Sequence, residues 1–136
     1  MPRLFADTSY WIAILNQRDS LHETAIKLSK ARADLGVSTR ENVLAELLTY
    51  FADEGRHLRA AAAELVQRIL DDESITVHGN NQTHFLATLQ FYIERSDKQY
   101  SFTDCSSMLV MHSEGLVETL SADHHFEQEG FLILLK

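Results

Sequence analysis

Five short strand-like segments, "RLFAD", "GVST", "SITVHG", "LVETLSAD" and "FLILL", are separated in this chain by stretches of helical periodicity. Apolar-rich runs of about four to eight residues read as strands, and the longer intervening patterns read as amphipathic helices. Consecutive strands joined by helices cannot pair as hairpins. The alternation therefore demands crossover connections and a mainly parallel sheet of five strands, with helices on both faces. At 136 residues, with no internal repeat, linker or low-complexity tract, the chain reads as one α/β domain over 1–136.

The helices carry their own punctuation. "SLHETAIKLSKARADLG" places Leu21, Ala25, Leu28 and Ala31 at helical spacing, and Gly36 is expected as its C-cap. "RENVLAELLTYFADEG" has an apolar stripe of Val43, Leu44, Leu47, Leu48 and Phe51, with Gly55 as the expected stop. "RHLRAAAAELVQRILDD", "QTHFLATLQFYIERS" and "FTDCSSMLVMHSEG" complete the long helices, the last ended by Gly115, and "HHFEQEG" is a helical turn.

Composition narrows the function classes. The net charge of −8 has the wrong sign for a protein that coats nucleic acid non-specifically. It leaves room for an enzyme whose carboxylates are gathered at a metal. No uninterrupted apolar stretch approaches the ~20 residues of a spanning helix. The first residues lack a basic-then-apolar signal pattern, and the single cysteine, Cys105, forms no internal disulfide. A cytoplasmic protein with no membrane association is expected.

In a parallel α/β sheet the carboxyl ends of neighbouring strands face one crevice. Four acids fall at that edge. Asp7 ends the first strand in "LFADTS"; Glu46 lies inside "RENVLAELLTYF"; Asp104 opens the helix of "YSFTDCSSMLV"; Asp123 ends the fourth strand in "LVETLSADHHF". Their separations of 39, 58 and 19 residues mean that only the fold can unite them. Each also has a structural reading. Asp7 can cap the following helix, Asp104 completes a Ser-x-x-Asp capping box, and Asp123 can be a turn residue. Glu46 flanks the apolar stripe beside Tyr50, as Glu41 does on the other side. Glu41, however, completes "STRE", a capping box starting at Ser38, whereas Glu46 has no such role.

Other reactive residues are set aside. Adjacent His124 and His125 cannot both face one ion from a regular element. His112 shares a helix face with Cys105, Met108 and Leu109 and reads as a core histidine. Cys105 lacks an evident partner for a nucleophilic thiol. Phe85, Phe91 and Tyr92 read as core or interface. Arg40, Arg56, Arg59 and Arg68 are candidates for RNA-backbone contacts, although each also reads as a solvated surface arginine.

The segments "LFADTSYWIAIL", "STRENVLAELLTYF", "YSFTDCSSMLVMHSEGL" and "TLSADHHFEQEGFLILL", in this order and at these distances, together resemble the PIN-domain ribonucleases. The resemblance is closest to the small VapC-like toxins of prokaryotic toxin–antitoxin pairs. It spans almost the whole chain; the stretch from about Gly55 to Gln99 contributes little. It implies a PIN-like fold and a cluster of Asp7, Glu46, Asp104 and Asp123 that binds Mg²⁺ or Mn²⁺. Thr8 and Ser121 are then hydrogen-bonding supports, Ser121 standing where threonine is common. Glu46 is either a ligand or the general base. Crowded carboxylates repel one another unless a cation enters, and hard divalent ions take oxygen ligands. The same resemblance implies metal-dependent hydrolysis of RNA, a homodimer formed through helical faces, and a small antitoxin that sends a basic segment over the groove.

Two rivals come from other classes. An aspartate-nucleophile phosphohydrolase fits "ADTS" at a strand end but needs a second Asp where Ser9 stands. A non-catalytic PIN-like module that binds RNA or protein is disfavoured by the presence of all four acids.

Overall fold

The computed structural model describes residues 3–136; the chain's one proline, Pro2, lies outside them. Strands β1 (Arg3–Ala6), β2 (Gly36–Arg40), β3 (Ile75–His78), β4 (Glu118–Leu120) and β5 (Leu132–Ile133) form one sheet in the order β3-β2-β1-β4-β5. Every neighbouring pair is parallel. The expected five-stranded sheet is therefore wholly parallel among the described residues.

Parallel neighbours need long connections, and helices supply them. Helices α1 (Thr8–Leu15) and α2 (His22–Ala31) join β1 to β2, and α3 (Glu41–Tyr50) and α4 (Arg56–Asp71) join β2 to β3. Helices α5 (Gln82–Glu94) and α6 (Phe102–Glu114) lead from β3 to β4, and α7 (His124–Gln128) leads to β5. The chain runs outward from β1 to β3, then returns to β1's other side for β4. Right-handed crossovers put α1–α4 on one face and α5–α7 on the other. The contacts agree: α1 packs on α2, α3 and α4, while α6 packs on α5 and α7. Helices α3 and α6 also touch each other.

Central β1 is covered on both faces, which is why three consecutive apolar residues, Leu4, Phe5 and Ala6, can all be buried. Phe51 and Leu47 from α3, Met108 and Met111 from α6, and Phe126 from α7 fill the core around it.

Several local expectations are corrected. Gly36 does not close α2, which ends at Ala31; it opens β2 opposite Arg3. A Cβ there would stand 3.1 Å from the Arg3 side chain, which lies across the glycine. Helix α3 ends at Tyr50, and Gly55, with φ +96°, starts α4 instead of stopping α3. Leu48 lies outside the buried stripe, 39% exposed. The "STRE" box does not form, because Ser38 is paired within β2 opposite Thr76 and cannot sit at the helix start. Glu41 instead accepts a 2.7 Å hydrogen bond from the Asn80 backbone N–H, tying α3 to the loop after β3. Gly115 does end α6, in the left-handed conformation, with φ +68°.

Candidate active site

Beside β1 the strand order reverses between β2 and β4, and the crevice at the carboxyl ends of β1 and β4 is where such sheets place their sites. Asp7 stands at the end of β1, its backbone N–H still bonded to Leu120 of β4 at 3.1 Å. It occupies the N-cap position of α1, yet its side chain makes no capping bond. The carboxylate turns to β4, where Ser121 Oγ donates a 2.9 Å hydrogen bond to Asp7 Oδ2. The same Ser121 oxygen accepts from the Asp123 N–H at 3.0 Å. Burial pushes the Asp7 carboxyl up to about 7; the Thr8 N–H and the Ser121 hydroxyl oppose the rise, while Asp104 and Glu46 add to it.

Asp104 makes the capping box that its sequence context offered and also faces the residues around Asp123. Ser101 caps α6 through the Asp104 N–H, and Asp104 Oδ2 accepts from the Ser101 N–H at 3.1 Å, closing a capping box. The same Oδ2 also takes His125 Nδ1 at 3.2 Å. Burial, opposed by the Ser101 N–H, raises its proton affinity, and neighbouring Asp123 raises it further. Asp123 caps α7, accepting from the His125 N–H at 2.9 Å, with His125 Nδ1 3.4 Å from Asp123 Oδ1. Potential ligand atoms of Asp104, Asp123 and His125 all lie within 4.8 Å of one another.

Glu46 stands apart from this trio, exposed on α3, where Thr8 Oγ1 donates to its Oε1. Both line an open groove of about 540 Å³, together with Asn42, Asn80 and Thr103. Of the four acids, Asp7 and Asp104 are buried and Asp123 is half-buried, linked to Asp7 through Ser121, while Glu46 stands exposed on the groove wall.

His125 was set aside on sequence and is corrected here. Its neighbour His124 turns outward to Glu127 at 2.6 Å, so the two histidines indeed do not share a target. His125 nevertheless faces the acids, because the second residue of a helix capped by Asp123 turns back towards the cap. The Asp-x-His spacing at a strand end was the available signal.

Arg40 is a second correction. It is 2% exposed and donates to the Gly79 carbonyl at 2.9 Å and to Asn80 Oδ1 at 3.1 Å, so it braces a loop and cannot meet an RNA backbone. Arg56 and Arg59 are exposed at the start of α4; Arg59 donates to the Ala52 carbonyl and, with Thr49, lines a hollow beside the acidic groove. Arg68 is paired with Glu64. His112 is not a core residue: it is exposed, and its Nε2 lies 3.0 Å from Glu129. Phe91 is buried, whereas Phe85 and Tyr92 are exposed. Cys105 is fully buried, its thiol pushed up to about 11 by burial, which leaves no thiolate at neutral pH.

No family model matches the chain. Over 131 residues it is 28% identical to the 23S rRNA-specific endonuclease VapC20 of Mycobacterium tuberculosis, covering 95% of each protein. The crystal structure of Mycobacterium tuberculosis VapC20, a sarcin–ricin loop cleaving toxin, matches with a TM-score of 0.84 at 26% identity, covering 95% of this chain and 96% of that one. The crystal structure of PAE2754 from Pyrobaculum aerophilum matches with a TM-score of 0.64 at 20% identity, over 98% and 90% of the two chains, and speaks to the fold alone.

Proposed function

We propose that this VapC-like PIN-domain chain is an endoribonuclease, the toxin of a toxin–antitoxin pair, and that it cuts RNA with a divalent cation held by Asp7, Asp104 and Asp123. The observation that carries the reading is the convergence of Asp104, Asp123 and His125 within 4.8 Å, one serine away from buried Asp7. The donor set fits the ion: three carboxylates suit a hard cation, and the imidazole is better tolerated by Mn²⁺ than by Mg²⁺. Asp7 fits as well, since a carboxyl raised to about 7 gains a reason to ionise when positive charge arrives. Bound there, such an ion supplies an acidified water and positive charge for the scissile phosphate.

The chain's own groups supply position and proton transfer. Ser121 fixes Asp7 by donation and Asp123 by acceptance, setting the spacing of both carboxylates. Thr8 occupies one oxygen of Glu46 and leaves the other to orient a water in the groove and accept its proton as it attacks phosphorus. The acidic surface, at net charge −8, disfavours indiscriminate RNA binding and suits a basic antitoxin segment. Arg56 and Arg59 are the remaining backbone contacts, a homodimer is the assembly, and the cytoplasm is the compartment. No helix among the described residues is long and apolar enough to cross a membrane.

The test is cleavage of a sarcin–ricin loop RNA, VapC20's target, and of a mixed set of structured RNAs. Each is incubated with Mg²⁺, Mn²⁺ or chelator. Cutting that needs the ion and disappears in folded Asp7→Asn and Asp104→Asn variants is expected. Equal cutting by the wild type and both variants overturns the assignment of the site.

A further inference from the structure

The acidic groove continues into a second hollow of different chemistry. A pocket of about 520 Å³ shares Asn42 and Asn80 with the groove and is lined further by Asn81, His84, Phe85 and Phe102, without a carboxylate. Both walls start close to the acids. Asn42 precedes Glu46 by one turn on α3, and Phe102 opens α6 two residues before Asp104. Phe85 and Phe102 stand 5.0 Å apart between ring centroids, and Phe85 is 54% exposed, an aromatic face held by a neighbour but open to solvent.

The amides are oriented by partners that can only donate. Arg40 Nη2 fixes Asn80 Oδ1, and the His84 backbone N–H fixes Asn81 Oδ1. Each amide therefore keeps its NH₂ group for a ligand. Asn42 lines the same pocket, and its Oδ1 is buried without a hydrogen-bond partner among the described residues, an acceptor left unsatisfied at the pocket wall. His84 is held in place by Ser106 at 2.9 Å. An aromatic face beside amide donors and one unsatisfied acceptor is the chemistry that binds an unpaired base, by stacking on its face and pairing with its edge.

We propose that this pocket is a nucleobase subsite that accepts an unpaired base flanking the scissile phosphate, with Phe85 as its stacking platform. The proposal rests on the endoribonuclease reading and deepens it. Two amide donors with one acceptor favour a base edge rich in acceptors, such as guanine's O6 and N7, over one rich in donors.

The test uses the full chain as Asp7→Asn, which prevents cutting, and a short single-stranded RNA bearing 2-aminopurine, whose fluorescence falls on stacking. Phe85→Ala and Phe85→Trp are added to it; the position is exposed, and retained circular dichroism reports folding. Quenching on binding, weakened about tenfold in affinity by Phe85→Ala and retained by Phe85→Trp, is expected from the usual value of one base–aromatic stack. Equal affinity and quenching in all three proteins, or no binding by any, overturns the subsite. So does Phe85→Ala changing the oligomeric state by light scattering while binding is unchanged, which would assign the face to a protein contact. Metal-dependent cleavage by the wild type, run in parallel, reports on the nuclease reading separately. Cleavage without Phe85-dependent stacking removes the subsite alone, and stacking without cleavage removes the nuclease alone.

Discussion

Ser121 Oγ donates to Asp7 Oδ2 at 2.9 Å, a bond between residues 114 apart in sequence that joins the ends of the two central strands. The donor stabilises the ionised form of a carboxyl that burial otherwise keeps protonated. Ser121→Ala should move the acid limb of the cleavage pH profile upward and lower the rate at neutral pH by about 10- to 100-fold, the usual cost of losing a bond behind a metal ligand. Ser121→Thr keeps the hydroxyl and should stay close to wild type. A pH profile unmoved by Ser121→Ala would show that the bond does not tune Asp7.

Asp7 itself predicts a pH-dependent stability in chelator. Its folded pKa, about 7, lies above its ordinary value of 3.8, so the folded state binds the proton more tightly than the unfolded state. The contribution is fully present below about pH 4 and is lost as pH rises through 7, up to about 4 kcal/mol in all. Thermal melts of metal-free wild type should therefore fall over that interval relative to Asp7→Asn, which has no proton to lose. Adding Mn²⁺ at pH 8 should restore the wild type and leave the variant behind. Parallel melting curves across the range would contradict the shift.

The sheet was legible because short β-prone segments, apolar in β1 and around β5 and mixed in β2, β3 and β4, alternate with helical periodicity, and the positions of three acids were legible because they stand where a strand stops or a helix starts. Helix ends were less so. Gly36 and Gly55 announce a break, but a glycine serves equally the element before it and the one after. Arg40 reads as surface because arginines are seldom buried; its burial follows from the loop carbonyl of Gly79 and the Asn80 amide closing over the sheet edge. For His125 the local Asp-x-His spacing points the ring back to Asp123, but its approach to Asp104, 21 residues away, depends on how α7 sits against α6.

A carboxylate outside the site, Glu129, shifts in the opposite direction. Glu129, after α7, accepts from Arg95 Nε at 2.9 Å and Nη2 at 2.7 Å, from His112 Nε2 at 3.0 Å and from Tyr100 OH at 3.2 Å. Arg95, first among these, draws its pKa down to about 2 from an ordinary 4.5. That stability is present above about pH 4.5 and is lost as pH falls towards 2. Glu129→Gln should cost about 2 kcal/mol at pH 7, seen as a melting temperature lower by about 5–10 °C, because it leaves Arg95 without its nearest counter-charge, only the more distant Glu94 remaining at 3.8 Å. The difference between the two proteins should shrink as the medium is acidified below pH 4. A constant difference at every pH would mean that packing, not ionisation, sets the cost.

The position of His125 makes the metal preference testable. Its Nδ1 lies 3.2 Å from Asp104 and 3.4 Å from Asp123, and its ring packs 5.6 Å from that of Tyr100. Nitrogen ligands discriminate strongly among divalent ions: Mn²⁺ accepts imidazole, whereas Mg²⁺ prefers oxygen. If the imidazole joins the two carboxylates around the ion, His125→Ala should weaken Mn²⁺ binding, followed by calorimetry, by about 10- to 100-fold and Mg²⁺ binding much less. If it serves only to hold Asp104 and Asp123 apart, both ions should weaken by the same factor. Unchanged affinity for both would place His125 outside the metal's reach and leave the carboxylates alone as its ligands.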